Sequence, residues 1–122
     1  MQDKTTSVKV CQAQAPGGEP ITVLRFSGDI TSTSKAAVLG TYQSLPPDSK
    51  RILLDLSKVD YINSSGIALI IQMLMQAGKA GHTIQTFGLS PHFQKVFTMV
   101  GITKYTTIHP DEPAACAAFG EQ

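Results

Sequence analysis

RILLDLSKVDYINSSGIALI, residues Arg51 to Ile70, carries in twenty positions the two hydrophobic periods that decide the fold. Its first six residues form a short apolar run bounded by turn formers, the pattern of a strand buried on both faces, which places it at the centre of a sheet. The polar stretch SKVDYIN (Ser57–Asn63) reads as a loop. From Ser64 the apolar residues recur at helical spacing, and Gly78 and Gly81 supply stop signals, so the pattern predicts a helix over Ser64–Gly78.

Upstream, Val8, Val10 and Gln12 begin an alternating segment that runs into the turn APGGEP, after which ITVLRFSG (Ile21–Gly28) resumes a β pattern. The run DITSTSKAAVLGTYQSL offers Asp29, Thr31, Ser32 and Thr33 as caps for a modest helix around Ala36–Leu39, stopped by Pro46 and Pro47. Downstream, HTIQTFG reads as a strand. In LSPHFQKVFTMVGI, Ser90 precedes Pro91, and Phe93, Val96, Phe97 and Val100 share one helical face. A brief strand around Tyr105–Ile108 and an Ala-rich helix over Glu112–Phe119 complete the pattern. Alternation of strands and helices after Gly28 predicts an α/β fold: one domain over residues 1–122, with a mixed four- to five-stranded sheet covered by about four helices. Function is then expected in the loops and helix starts at one sheet edge.

Composition narrows the function. The chain has 122 residues, a formal charge of +1, 42% apolar and 16% charged residues, a balance with no electrostatic footprint for nucleic acid. Cys11 and Cys116 stand in no metal-ligand spacing, the N-terminus lacks a signal-peptide core, and a reducing cytoplasm is the expected location. The apolar run Ile67–Met75 is too short to span a membrane. His82, His92 and His109 are scattered, NSSGI lacks the preceding glycine of a nucleophile elbow, and PGG at Pro16–Gly18 lacks a phosphate-loop lysine. No enzyme, metal or cofactor is expected.

The junction NSSG (Asn63–Gly66) remains. On a helical wheel Ile67, Ile70, Ile71, Leu74 and Ala77 form the expected core stripe, and Gln72, Gln76 and Lys79 lie opposite, flanked by Leu69 and Met73. Ser65 falls on the Gln72 side and Ser64 nearer the buried edge. Asn63 or Ser64 as an ordinary cap accounts for the residue types. A phosphate on Ser65 would also meet unpaired amides and the positive end of the helix dipole, and its charge of about −1.5 to −2 would repel a partner packed on that face.

FSGDI (Phe26–Ile30), RILLDLSKVDYINSSGIALI and LSPHFQKVFTMVGI, in this order and spacing, resemble the STAS domain family, specifically the small bacterial anti-sigma factor antagonists. The resemblance implies a phosphoacceptor at the serine before the glycine, Ser65, with Ser64 as second choice. It also implies partner contacts near Asp29 and the junction residues Asn63, Ser64 and Ser65, and the outer positions of the wheel, Leu69, Gln72 and Met73, extend that expected contact surface. The implied partners are an anti-sigma factor with GHKL-type serine kinase activity and a PP2C-type phosphatase that resets the cycle. One departure stands out: the family usually carries Asp-Ser-Ser-Gly, and here Asn63 replaces the aspartate. That substitution motivates the alternative of an interaction module without a phosphoswitch, in a transporter-associated or multi-protein signalling assembly.

Overall fold

The computed structural model describes residues 5–120. Its sheet has five strands in sequential order: β1 (Ser7–Gln14), β2 (Pro20–Ile30), β3 (Arg51–Ile62), β4 (Thr83–Phe87) and β5 (Thr107–His109). β1 and β2 form an antiparallel hairpin, and the remaining neighbours are parallel. A 3-10 turn at Ser32–Ser34, a π-helical stretch at Ala36–Gly40 and the single turn α1 (Thr41–Gln43) join β2 to β3. The helix α2 (Ser64–Lys79) joins β3 to β4, α3 (Pro91–Met99) joins β4 to β5, and α4 (Glu112–Phe119) follows β5.

A single crossover hand combined with sequential strand order sends every parallel connection over the same face. Accordingly Val38, Leu39 and Tyr42 from the first connection, Leu69, Ile70, Met73, Leu74 and Ala77 from α2, and Phe97 from α3 share one core with Leu24, Ile52, Leu54 and Leu56 of the central strands. Only α4 packs on the opposite face, where Ala115 and Phe119 meet Ile21, Val23, Leu53 and Phe87. Cys11 and Cys116 are reduced and border this smaller cluster.

An ion cluster continues the smaller face beyond α4. Arg25 Nη1 donates to Asp55 Oδ2 at 2.8 Å and to Glu112 Oε1 at 2.9 Å, while Nη2 reaches Glu112 Oε2 at 3.2 Å. Glu112 above all, then Asp55, raises the Arg25 pKa. Burial alone would push the Asp55 carboxyl up; hydrogen bonds from the Ser57 hydroxyl and amide, together with Arg25, outweigh it and hold the carboxyl below its ordinary value.

Two strands are longer than their sequence patterns indicate. β4 accompanies β3 only from Arg51 to Asp55. Beyond that point β2 alone continues beside it, through register shifts at Arg25/Ser27 and Gly28/Asp29, pairing Ser27 with Lys58, Asp29 with Tyr61 and Ile30 with Ile62. The residues read as a loop, Ser57 to Ile62, are therefore strand; their polarity reflects solvent exposure on a two-stranded ribbon. Gly88 ends β4 at φ +92, with its Cα so near Ser57 that a Cβ there would lie 2.5 Å from the Ser57 nitrogen. The short last strand is Thr107–His109 where the pattern indicated Tyr105–Ile108.

Candidate functional site

The ribbon of β2 and β3 delivers the NSSG junction to its tip. The Asn63 amide donates to the carbonyl of Ile30, the last residue of β2, at 3.2 Å. Asn63 takes extended geometry (φ −92, ψ 179) and its Oδ1 accepts from the Gly66 amide at 2.8 Å, which makes it the helix N-cap. The first intrahelical bond then runs from the Ile67 amide to the Asn63 carbonyl at 2.9 Å.

Gly66 is required here on steric grounds alone. A Cβ at this position would lie 2.1 Å from the Ile30 carbonyl oxygen, so only glycine lets α2 begin flush against the end of β2. This contact also sets the rotation of the helix. With Gly66 inward, positions three and four residues on follow it: Leu69, Ile70, Met73, Leu74 and Ala77 are buried.

That phase corrects the wheel. Leu69 and Met73, expected beside the outer face as partner contacts, are 8% and 0% exposed and belong to the core. Ile67 and Ile71, expected in the middle of the core stripe, are half-buried at its rim. Gln76 turns sideways and accepts from Gln43 Nε2 at 3.1 Å. Within the apolar run Gln72 alone marks the outer side, which leaves the rotation of the helix loosely defined; the position of Gly66 could have fixed it.

Ser64, Ser65, Ala68, Gln72 and Met75 form the exposed stripe of α2. Neither serine hydroxyl bonds to another described group. The amides of Ser64 and Ser65 open the helix, upstream of its first intrahelical bond, where anionic groups are favoured. Asp29 is brought next to this junction by its pairing with Tyr61. It does not cap the following helical segment: Thr31 does, in a capping box with Ser34.

Aromatic residues absent from the sequence-based site border the ribbon tip. Tyr61 is 52% exposed and meets the ring of Phe93, at the start of α3, edge-on with centroids 6.4 Å apart. His92 meets Phe93 at 5.0 Å. The available signal was positional, since Tyr61 lies two residues before Asn63 and His92 follows the Ser90–Pro91 helix start.

Among the described residues no group of His, Cys, Asp and Glu is arranged to hold a metal, and no helix is long and apolar enough to cross a membrane. The geometry provides a rigid helix start, a reachable hydroxyl and an adjoining partly aromatic surface: the equipment of a small α/β interaction domain.

Residues 14–109 match the family model described as "Mlab, STAS domain", and the chain belongs to the STAS domain family. It is 30% identical over 70 residues to BtrV of Bordetella bronchiseptica, whose name describes it as an anti-sigma factor antagonist; the match covers 57% of this chain and 60% of that relative's length. The fold is similar to that of an anti-sigma factor antagonist from Mycobacterium paratuberculosis, with a TM-score of 0.67, 20% identity and coverage of 92% of this chain and 93% of the other. It is also similar to that of Bacillus SpoIIAA in its phosphorylated form, with a TM-score of 0.60, 15% identity and coverage of 88% and 96%.

Proposed function

We propose that this protein is an anti-sigma factor antagonist controlled by phosphorylation of Ser65. The observation that carries this reading is the exposed Ser65 hydroxyl on the first turn of α2, whose backbone is fixed by the Asn63 cap and the Gly66–Ile30 contact. In the unmodified state, Ser64, Ser65 and Gln72 on α2, with Asp29 and the backbone of Asn63, bind an anti-sigma factor of the GHKL serine kinase type, and the sigma factor is released. That kinase transfers the γ-phosphoryl group of ATP to Ser65 Oγ; the hydroxyl proton is lost and ADP leaves. The added charge is accommodated by the amides at the helix start and repels the docked partner, while the domain stays folded. A PP2C-type phosphatase hydrolyses the phosphoserine and restores binding.

The test is incubation with the cognate kinase and ATP followed by intact mass measurement. Wild type is expected to gain one phosphate and Ser65→Ala none. An unmodified wild-type mass, or equal labelling of the variant, refutes the phosphoswitch.

Asn63 favours a second reading, a constitutive interaction module in a transporter-associated or multi-protein assembly. An amide caps the helix as well as a carboxylate but supplies no negative charge to orient the serine or a metal-bound phosphate. Equal retention of partner by wild type and Ser65→Asp in a pull-down supports this module over the switch.

A further inference from the structure

The two edges of the sheet are treated differently. β5 is three residues long and is followed at once by Pro110, two common devices against edge pairing. β1 has neither device. It is eight residues long, contains no proline, pairs with β2 without a register shift, and carries a single charge, Lys9. None of its residues is buried, and Val10 is 47% exposed.

The phase of the hairpin identifies which backbone groups face outward. The Ala15 amide donates to the Glu19 carbonyl at 2.9 Å, and the adjoining pair sets Gln14 opposite Pro20, which has no N–H to give. Because bonded and non-bonded pairs alternate in an antiparallel ladder, Cys11 and Ala13 bond inward to β2, while Val8, Val10, Gln12 and Gln14 direct their N–H and C=O groups to the outer edge. No hydrogen bond among the described residues reaches those groups.

We infer that β1 is the pairing edge of a homodimer, in which two copies of this chain join antiparallel about a two-fold axis at Val10 to make one continuous ten-stranded sheet. In this register Val10 faces its own copy, Val8 faces Gln12 and Lys9 faces Cys11, so the strand's one charge never opposes itself. A two-fold pairing is self-complementary, and cross-strand Val–Val contact is favourable where a Lys–Lys contact would not be. The interface is one strand wide, well below the standard area of a permanent complex, so the dimer is concentration-dependent. Ser65 remains accessible, since it stands at the ribbon tip past Ile30, six residues along β2 from Leu24, which is the β2 partner of Val10.

The test is sedimentation equilibrium of the full chain over about a hundredfold range of concentration. Wild type is expected to move from one chain mass toward two. Val10→Pro removes an outward N–H while leaving every β1–β2 bond in place, and it is expected to weaken dimerisation at least about tenfold with an unchanged circular dichroism spectrum. Val10→Lys, which sets two like charges face to face, is expected to do the same and stands in if the proline variant does not fold. A wild type that stays at one chain mass throughout, or a dimer that survives the substitution in a folded variant, overturns the proposal.

Discussion

The two faces of the sheet are held by different means. On the face covered by the three connecting segments, nineteen buried apolar residues form one cluster, and the position of α2 is set by steric fit. On the other face seven buried apolar residues are covered by a single eight-residue helix, and the cluster gives way to the Arg25, Asp55 and Glu112 ion group. The candidate site lies at the margin of the first face. The large core holds the backbone beneath Ser65, so chemistry at its hydroxyl can change the surface without rearranging the support. The second face depends on charge and should respond to pH through the Asp55 carboxyl.

Three substitutions sharpen or break that contrast. Gly66→Ala forces a methyl group against the Ile30 carbonyl; a loss of about 3 kcal/mol or more is expected in urea unfolding. A loss within about 0.5 kcal/mol would show that α2 is not set by that contact. Asp55→Asn should cost about 2 kcal/mol at neutral pH, because the Arg25 and Ser57 hydrogen bonds lose their charged acceptor. The Asp55 carboxyl titrates lower in the folded than in the unfolded chain, so its contribution is present above the unfolded pKa and lost as pH falls through the folded one. Stability measured from neutral pH down to about 3 should therefore fall less steeply in Asp55→Asn than in wild type. Identical slopes would remove the ion group from the account. Ser65→Asp should change stability by less than about 0.5 kcal/mol, since the side chain is exposed at a helix start that tolerates an anion. A larger loss would mean that the first face does not insulate its margin.

The strand pattern of RILLDL, the Ser64 helix start and the Ser90–Pro91 start were legible because each is fixed by local chemistry: a continuous apolar run, a cap, a proline at a first turn. The extension of β3 through Ile62 was not legible. Its polar residues look like a loop because half of the sheet stops beside them, and where a neighbouring strand stops is a tertiary fact. Ser65 is exposed, but so is Ser64, which the wheel put nearer the buried edge, and Leu69 and Met73 were assigned to the wrong side of α2. Nearly every position from Ile67 to Met75 is apolar, so the hydrophobic direction is weakly defined and a rotation error is easily made. Tyr61 and Phe93 escaped notice because they meet only through folding, across thirty-two positions of chain.

The amide of Asn63 is tethered to Ile30, and Gly66 abuts the same carbonyl, so the helix tip is welded to the end of a strand in place of hanging from a flexible loop. A visiting protein meets a surface that requires no freezing of the main chain before contact. Under the proposed switch, discrimination between the phosphorylated and unmodified forms is then expressed chiefly in how long the encounter lasts, and much less in how quickly it begins.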